Sequence, residues 1–250
     1  MVHRDGIDFH SVYPEHSDVS FRNKYPKISK TKKCIVLDID STMVNTYDDY
    51  SMISKLRLME DPSLMDVRNR SYFLTLFDVN GKKGKGDMMN LWGVTRPGLR
   101  DFLKFCQAYF QHVIVWSAGD YDYVHALCRR LFQGLKYPDA ILTRDDCEEK
   151  HDKPVKPLAK IIEMEGFNHL TMADIIILDD RTYTFIPNVN NGVLIPEYSP
   201  EAKSGRSYES KKDQLRREDN ALEQFQNWLL RHEVIHCNDV RSLKKDNIFT

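Results

Sequence analysis

The sequence contains few cysteines, and their arrangement does not suggest a structural role. Its five cysteines are scattered over 250 residues, and none forms a C-x-x-C pair. An odd number without regular spacing argues against a disulfide framework and for a reducing compartment. The pair His232 and His236, with Cys237 beside it, is expected at a solvated helix end rather than at a metal site.

Long apolar runs and a strong net charge are also absent. No apolar run approaches the ~20 residues of a membrane span, and the first ten residues, MVHRDGIDFH, are too polar for a signal peptide. The net charge of -1 gives no overall field that would attract nucleic acid or a membrane. Basic residues cluster locally in Arg22 to Lys33 and at Lys82, Lys83 and Lys85. We expect a soluble intracellular protein, in the nucleus or the cytoplasm, with nucleic acid left open as a partner.

Short apolar runs alternate with amphipathic segments through the middle of the chain, a pattern that predicts a parallel sheet covered by helices on both faces. Helical spacing is clearest from Leu99 to Phe110 and from Val124 to Leu131, and it recurs near Leu158 and from Leu222 to Leu229. The predicted strands are Cys34–Leu37, Val113–Trp116, Ala140–Leu142, Ile175–Leu178 and Val193–Ile195.

A β-hairpin is predicted between the first strand and the first long helix. Tyr72–Val79 and Met88–Thr95 are aromatic and apolar, and Asn80-Gly81 between them is a strong turn signal. We expect three regions: a polar arm over 1–33, an α/β domain over 34–231 with the hairpin inserted at about 71–95, and a C-terminal tail over 232–250. Within the domain, 196–220 is polar and predicted as a surface loop.

Polar residues follow several of the predicted strands directly. Asp38 and Asp40 follow the first strand, Ser117 the second, and Asp179 and Asp180 a later one. The carboxyl ends of parallel strands lie along one edge of a sheet, where such folds bind ligands. These side chains are therefore expected to meet in one crevice.

A cluster of carboxylates at that edge needs positive charge, since like charges so close repel one another. Mg²⁺ is the natural partner, because it prefers oxygen ligands and takes one or two carboxylates together with a substrate phosphate. Lys156, just before a predicted helix, could hold a phosphoryl oxygen, and Ser117 offers a hydroxyl donor. Together these groups are typical of phosphoryl transfer.

Four stretches resemble one known family in combination: IVLDIDSTMV, VTRPGLRDFLKF, VIVWSAGDYDYVHAL and IIILDDRTYTFIPNVNNGVLI. Their order, D-x-D-x-T, then a serine or threonine, a lysine and D-D, resembles the haloacid dehalogenase (HAD) superfamily of phosphotransferases. Within it, the likeness is to the RNA polymerase II carboxy-terminal-domain (CTD) phosphatases, the NLI-interacting-factor-like group. The resemblance covers about Cys34 to Ile195 and implies a HAD-like, Rossmann-type fold, with the hairpin as a small cap.

The resemblance implies a role for each residue that matches a motif. Asp38 would be the nucleophile that forms an aspartyl-phosphate, and Asp40 would protonate the leaving oxygen and then activate water. The side chains of Asp38 and Asp180 and the backbone carbonyl of Asp40 would hold Mg²⁺.

The remaining motif residues would bind the phosphoryl group or support those that do. Thr42, Ser117 and Lys156 would be phosphate-binding, with Thr42 also fixing the nucleophile loop and Asp179 orienting Lys156. Lys153 is a rival for the role of Lys156, because the segment between the lysine and the D-D pair is longer than usual.

The implied activity is that of a Mg²⁺-dependent phosphoserine/phosphothreonine protein phosphatase. Its partner would be a phosphorylated protein or peptide, with the CTD of RNA polymerase II as a candidate. Gly119-Asp120 occupies the stretch where the small CTD phosphatases carry an apolar residue, which weakens the case for the CTD repeat. Two alternatives remain: a phosphatase of nucleic-acid ends or small molecules, and a catalytically weak binding module. The unusual termini would suit a divergent viral copy acting in a host cell.

Overall fold

The computed structural model describes residues 31–77, 88–200 and 207–249. Most of the predicted N-terminal arm, the Asn80-Gly81 turn and the Lys82–Lys85 cluster lie outside the described residues. The strands, in chain order, are β1 (Cys34–Leu37), β2 (Val44–Tyr47), β3 (Ser71–Phe77), β4 (Met88–Thr95), β5 (His112–Trp116), β6 (Ala140–Leu142), β7 (Glu148–Lys150), β8 (Lys153–Val155), β9 (Ile175–Asp179) and β10 (Gly192–Leu194).

The α-helices lie mainly between these strands and after them. In chain order they are α1 (Ser51–Lys55), α2 (Met65–Asn69), α3 (Leu99–Tyr109), α4 (Tyr121–Leu131), α5 (Ala159–Glu163), α6 (Tyr208–Leu215), α7 (Ala221–Leu229) and α8 (His232–Ile235). Short 3₁₀ segments add Pro62–Leu64, Arg144–Asp146, Thr182–Asn191 and Val240–Ser242. No helix among the described residues is both long and apolar enough to cross a membrane.

The central sheet has five parallel strands in the order β10-β9-β1-β5-β6, which confirms the predicted α/β class. Its strands read as continuous apolar runs because both faces are buried. Ile35 and Leu37 face one core with α3, α4 and α7, whereas Cys34 and Val36 face a second core near α5. This alternation follows from the two-residue period of a strand.

The predicted hairpin is confirmed as β3 and β4, which pair antiparallel from Ser71 opposite Val94 to Phe77 opposite Met88. It belongs to a three-stranded sheet, the accessory sheet, in the order β2-β4-β3. Strand β2 was not predicted, because VNTY is short and carries two polar residues. Trp92 and Val94 of β4 lie in the separate apolar cluster under this sheet.

The register of the central sheet brings three strand ends level. Leu37 at the end of β1 lies opposite Val115 of β5 and Leu178 of β9. The residues that follow these positions therefore emerge side by side at one edge.

Two predictions for the C-terminal third need correction. The segment 196–220 is not only a loop, because α6 lies within it, and Ser207 caps that helix by accepting a hydrogen bond from the amide of Ser210. The segment expected as a tail packs on the domain, since Val234, Val240 and Ile248 are buried in the main core.

Candidate active site

The loop after β1 turns tightly and leaves two carboxylates at the sheet edge. The Asp38 amide donates to the carbonyl of Leu178 at 3.1 Å, so the β1 pairing extends to this residue. The carbonyl of Ile39 then accepts from the amides of Met43 and Val44 at 2.8 and 3.1 Å, which reverses the chain into β2. Asp38 is 7% exposed and Asp40 is half-buried.

Lys156 is fully buried and ties two strand ends together. Its ammonium donates to Asp38 Oδ1 at 2.6 Å and to Asp179 Oδ2 at 2.7 Å. The lysine is 1% exposed and Asp179 is 0% exposed. A buried charge of either sign is costly unless it is paired, and here one ammonium serves two carboxylates. The structure therefore brings together three of the predicted site residues.

Burial and charge act in opposite directions on the pKa values of this group. Burial alone would lower the pKa of Lys156, but the carboxylates of Asp179 and Asp38 outweigh it and raise the pKa. Burial raises the pKa of the Asp38 carboxyl although Lys156 opposes the change. Because two carboxylates share one ammonium, the cluster keeps excess negative charge, which favours the binding of a proton or another cation.

Asp180 completes a cluster of oxygen ligands that suits a divalent ion. Carboxylate oxygens of Asp38, Asp179 and Asp180 all lie within 4.8 Å of one another. Burial raises the pKa of Asp180 to about 6, with Arg181 opposing. Its Oδ2 is buried without a hydrogen bond, although Arg181 Nε is 2.8 Å away in an unsuitable direction.

The donor set fits Mg²⁺ through two of these three carboxylates. Asp179 already uses both oxygens, since Oδ1 accepts from the Arg181 amide at 2.9 Å and Oδ2 from Lys156. Asp38 and Asp180 retain binding capacity, which matches an ion that takes one or two carboxylates and keeps waters.

Asp40 lies beside this cluster with its own hydrogen-bond partners. Tyr123 of α4 donates its hydroxyl to Asp40 Oδ1 at 2.5 Å, and Ser117 Oγ lies 3.5 Å from Asp40 Oδ2. Burial raises the pKa of Asp40, whereas the Tyr123 hydrogen bond lowers it. The sequence reasoning missed Tyr123, although it stands six residues after Ser117 within a quoted motif.

The predicted site residues, apart from Thr42, line a cavity of about 450 Å³. Its walls come from the loops after β1, β5, β6, β8 and β9, and the described part of the accessory sheet does not line it. Arg144 and Tyr183 are lining residues that sequence reasoning did not single out. Arg144 Nε donates to the Ala118 carbonyl at 2.8 Å, which joins the loops after β5 and β6. The predicted role of the hairpin as a cap stays a prediction, because its tip lies outside the described residues.

Three other predicted residues take definite positions. Thr42 is 0% exposed and is not among the residues that line the cavity, and its contact with phosphate stays a prediction. Lys153 is exposed, with its ammonium 5.0 Å from the centre of the Tyr183 ring, so geometry favours Lys156 over its rival. Asp120 precedes α4 and lies 3.6 Å from Arg144 in a solvated ion pair.

Arg96 supports the nucleophile loop from behind. Its fully buried guanidinium donates to the Thr42 carbonyl at 3.1 Å, to the Pro196 carbonyl at 2.8 Å and to both oxygens of Asp219. The residue stands in the quoted VTRPG stretch, yet an arginine before a proline carries no sequence signal of burial.

The residues from His232 to His236 read H-E-x-x-H, a spacing used by some zinc enzymes. They occupy the short exposed helix α8 and the residue after it, and both imidazoles face solvent. Within the described ranges, the group of three or more potential ligands that lies close enough to hold an ion is Asp38, Asp179 and Asp180, and it does not include these histidines.

Comparison with known proteins agrees with this geometry. The family model described as NLI interacting factor-like phosphatase matches residues 33–241. No curated protein sequence matches the chain.

Two solved structures share the fold. Fission yeast RNA polymerase II CTD phosphatase Fcp1-R271A bound to beryllium fluoride superposes with a TM-score of 0.54 and 16% identity, over 79% of this chain and 52% of that chain. A structure of Fcp1, an essential RNA polymerase II CTD phosphatase, gives a TM-score of 0.55 and 19% identity, over 91% and 61%. The chain thus spans less than two thirds of the length of either neighbour.

Proposed function

The chain belongs to the NLI interacting factor-like phosphatase family, and from this premise we propose that it is a Mg²⁺-dependent phosphoserine/phosphothreonine protein phosphatase. The proposed reaction proceeds through an aspartyl-phosphate on Asp38. One observation carries the proposal: Asp38 shares the buried Lys156 ammonium with Asp179, beside Asp180 and at the edge of an open cavity.

In the first proposed step, a carboxylate oxygen of Asp38 attacks the phosphorus of the substrate monoester. The bond from phosphorus to the seryl or threonyl oxygen breaks, and its electron pair stays on that oxygen. Asp40 gives its proton to the same oxygen, so the substrate leaves as a neutral alcohol. Burial, which raises the pKa of Asp40, favours the protonated form that this step needs.

In the second proposed step, Asp40 is a carboxylate and accepts a proton from a water molecule. The water oxygen attacks phosphorus, the bond to Asp38 breaks, and inorganic phosphate leaves. Lys156 stays beside Asp38 throughout as a fixed positive charge, and the Ser117 hydroxyl is available as a donor to phosphoryl oxygens. Asp179 positions Lys156.

Mg²⁺ would be held by the side chains of Asp38 and Asp180 and by the carbonyl oxygen of Asp40, where it would supply positive charge against the carboxylates and phosphoryl oxygens. This assignment is supported by the all-oxygen donor set and by Asp180 Oδ2, which accepts no hydrogen bond although Arg181 Nε lies 2.8 Å away.

A phosphorylated protein segment is the proposed substrate class. The cavity walls are loops at one sheet edge, and no separate domain among the described residues encloses the cavity. Enzymes that sequester a small substrate commonly close a lid or domain over it. The two structural neighbours are CTD phosphatases by name, which makes the CTD of RNA polymerase II the first peptide to test.

We also propose a location inside the cell, in the nucleus or cytoplasm. All five cysteines are free in the structure, and three of them are buried, which suits a reducing compartment.

The experiment compares wild type with Asp38→Asn on an aryl phosphate, with Mg²⁺ and with EDTA. We expect wild-type hydrolysis to need Mg²⁺ and the variant to lose at least about 10³-fold, because a carboxamide is a far weaker nucleophile. Near-full activity of Asp38→Asn would refute the mechanism.

A panel of phosphoserine and phosphothreonine peptides, including the CTD repeat, is then measured beside 3′-phosphorylated oligonucleotides. Higher kcat/KM on peptides supports the proposed substrate class, whereas higher kcat/KM on oligonucleotides overturns it. Tight peptide binding without Mg²⁺-stimulated turnover would identify a binding module instead.

A further inference from the structure

A chain of hydroxyl groups runs from the candidate acid into the accessory sheet. Tyr123 Oη lies 2.5 Å from Asp40 Oδ1 and 2.6 Å from Thr46 Oγ1. Thr46 Oγ1 in turn lies 2.5 Å from Tyr72 Oη. The four groups come from the loop after β1, from α4, from β2 and from β3, so the chain joins both sheets.

The direction of these hydrogen bonds follows from counting protons. A tyrosine or threonine hydroxyl has one proton to donate. If Tyr123 donates to Asp40, Thr46 must donate to Tyr123, and Tyr72 must donate to Thr46. All the donors then point toward Asp40 Oδ1, which acts as an acceptor. The other oxygen of this carboxyl, Oδ2, faces the Ser117 hydroxyl, which lies 3.5 Å away.

Two glycines leave the space that the tyrosines occupy. A Cβ at Gly119 would lie 2.8 Å from Tyr123 Cδ1, closer than real side chains come. A Cβ at Gly93 would overlap the Tyr72 hydroxyl itself. Any larger residue at either position would displace a ring, so the backbone is shaped around both members of the chain.

We propose that Tyr123, held by Thr46 and Tyr72, is a positioning residue that fixes the rotation of the Asp40 carboxyl, so that Oδ2 stays on the side of Ser117, where it can serve the leaving oxygen. This inference rests on the proposed function and adds a specific role for the accessory sheet. The sheet contributes no described residue to the cavity, yet through these hydroxyls it fixes the orientation of the acid.

A merely structural role would have a different signature. Tyr123 packs on the main core, so its hydroxyl could serve only stability. A variant that is only less stable contains less folded protein, so its turnover of all substrates would fall by the same factor. Loss of a correctly placed acid affects chiefly substrates whose leaving group needs a proton. An alkoxide needs one, whereas a nitrophenolate leaves readily as an anion.

The test compares Tyr123→Phe with wild type on two substrates in the presence of Mg²⁺: a phosphoserine peptide and 4-nitrophenyl phosphate. Tyr109→Phe is the matched control, because it removes another buried tyrosine hydroxyl, one that donates to the Leu229 carbonyl at 2.8 Å in the helical layer. The readout is kcat for each substrate, and their ratio.

We expect Tyr123→Phe to lower kcat on the peptide about 5- to 10-fold, the effect of losing one hydrogen bond to a neutral carboxylic acid. On the aryl phosphate we expect less than about a 3-fold loss. Tyr109→Phe should leave the ratio unchanged. Equal losses of Tyr123→Phe on both substrates, or none on the peptide, would overturn the inference. If the wild-type protein hydrolysed neither substrate, the proposed function itself would be refuted instead.

Thr46 supplies a second pair of variants should Tyr123→Phe fold poorly. Thr46→Ser keeps the hydroxyl and should keep the wild-type ratio of peptide to aryl turnover. Thr46→Val removes the donor to Tyr123 while conserving volume, and should shift the ratio in the same direction as Tyr123→Phe. Equal ratios for Thr46→Ser and Thr46→Val would contradict the hydroxyl chain.

Discussion

Replacement of Lys156 by methionine tests the charge balance of the site. The ammonium is 1% exposed and is shared by Asp38 at 2.6 Å and Asp179 at 2.7 Å. Its removal leaves two buried carboxylates without their cation, a change that typically lowers the free energy of unfolding by about 3–5 kcal/mol. We expect a loss of this size at pH 9 in EDTA, measured by urea denaturation with circular dichroism.

The loss should depend on pH in a defined direction. The pKa of Asp38 is raised by burial, and Lys156 is the group that opposes the rise. Without Lys156 the pKa rises further. A carboxyl whose pKa is raised on folding contributes stability at low pH and loses it as the pH rises through the folded-state pKa. The difference between variant and wild type should therefore shrink from pH 9 to pH 5, where Asp38 is protonated.

Lys153→Met is the matched control, because Lys153 lies three residues away, carries the same charge and is exposed. Its loss should change the free energy of unfolding by less than about 1 kcal/mol, and kcat by less than about 3-fold. If the two variants were equally destabilised, or if the loss in Lys156→Met grew toward low pH, the account of the buried cluster would be wrong.

Two further predictions concern the metal and the support of the nucleophile loop. Because burial raises the pKa of Asp180 to about 6 and also raises that of Asp38, protons should compete with Mg²⁺ for these ligands. The apparent affinity for Mg²⁺ in titration calorimetry should therefore fall at least about 10-fold from pH 7 to pH 5; an affinity independent of pH would exclude Asp180 as a ligand. Arg96→Ala should lower the free energy of unfolding by about 3–5 kcal/mol, because it leaves Asp219 and the Thr42 carbonyl without their partner. The control Arg216→Ala, at a more exposed ion pair, should change the free energy of unfolding by less than about 1 kcal/mol. Equal effects of the two variants would contradict the supporting role of Arg96.

The central sheet could be predicted because its strands carry a strong local signal. Runs such as Ile175–Leu178 are apolar on both faces, and a five-stranded parallel sheet buries both. Strand β2 could not be predicted, because half of VNTY is polar and its pairing with β4 is decided by tertiary contacts. Helix α6 was missed for a similar reason: half of Tyr208–Leu215 is charged, so no apolar stripe marks it.

The site residues that directly follow the ends of strands could be predicted from the sequence. Asp38, Ser117 and Asp179 emerge together because parallel strands in register end at one edge. The burial of Lys156 could not be deduced from its sequence neighbourhood, where two other lysines are close. Tyr123 was missed because a tyrosine in an amphipathic helix looks like a core residue, and only the fold brings its hydroxyl to Asp40.

The most direct test of the central claim is chemical trapping of the proposed aspartyl-phosphate. The protein is mixed with a phosphoserine peptide and Mg²⁺, quenched with hydroxylamine, and digested for mass spectrometry. The account predicts a hydroxamate on Asp38 that requires both substrate and Mg²⁺ and is absent from Asp38→Asn. Turnover of the peptide with the hydroxamate on another residue, or undiminished turnover by Asp38→Asn, would contradict it.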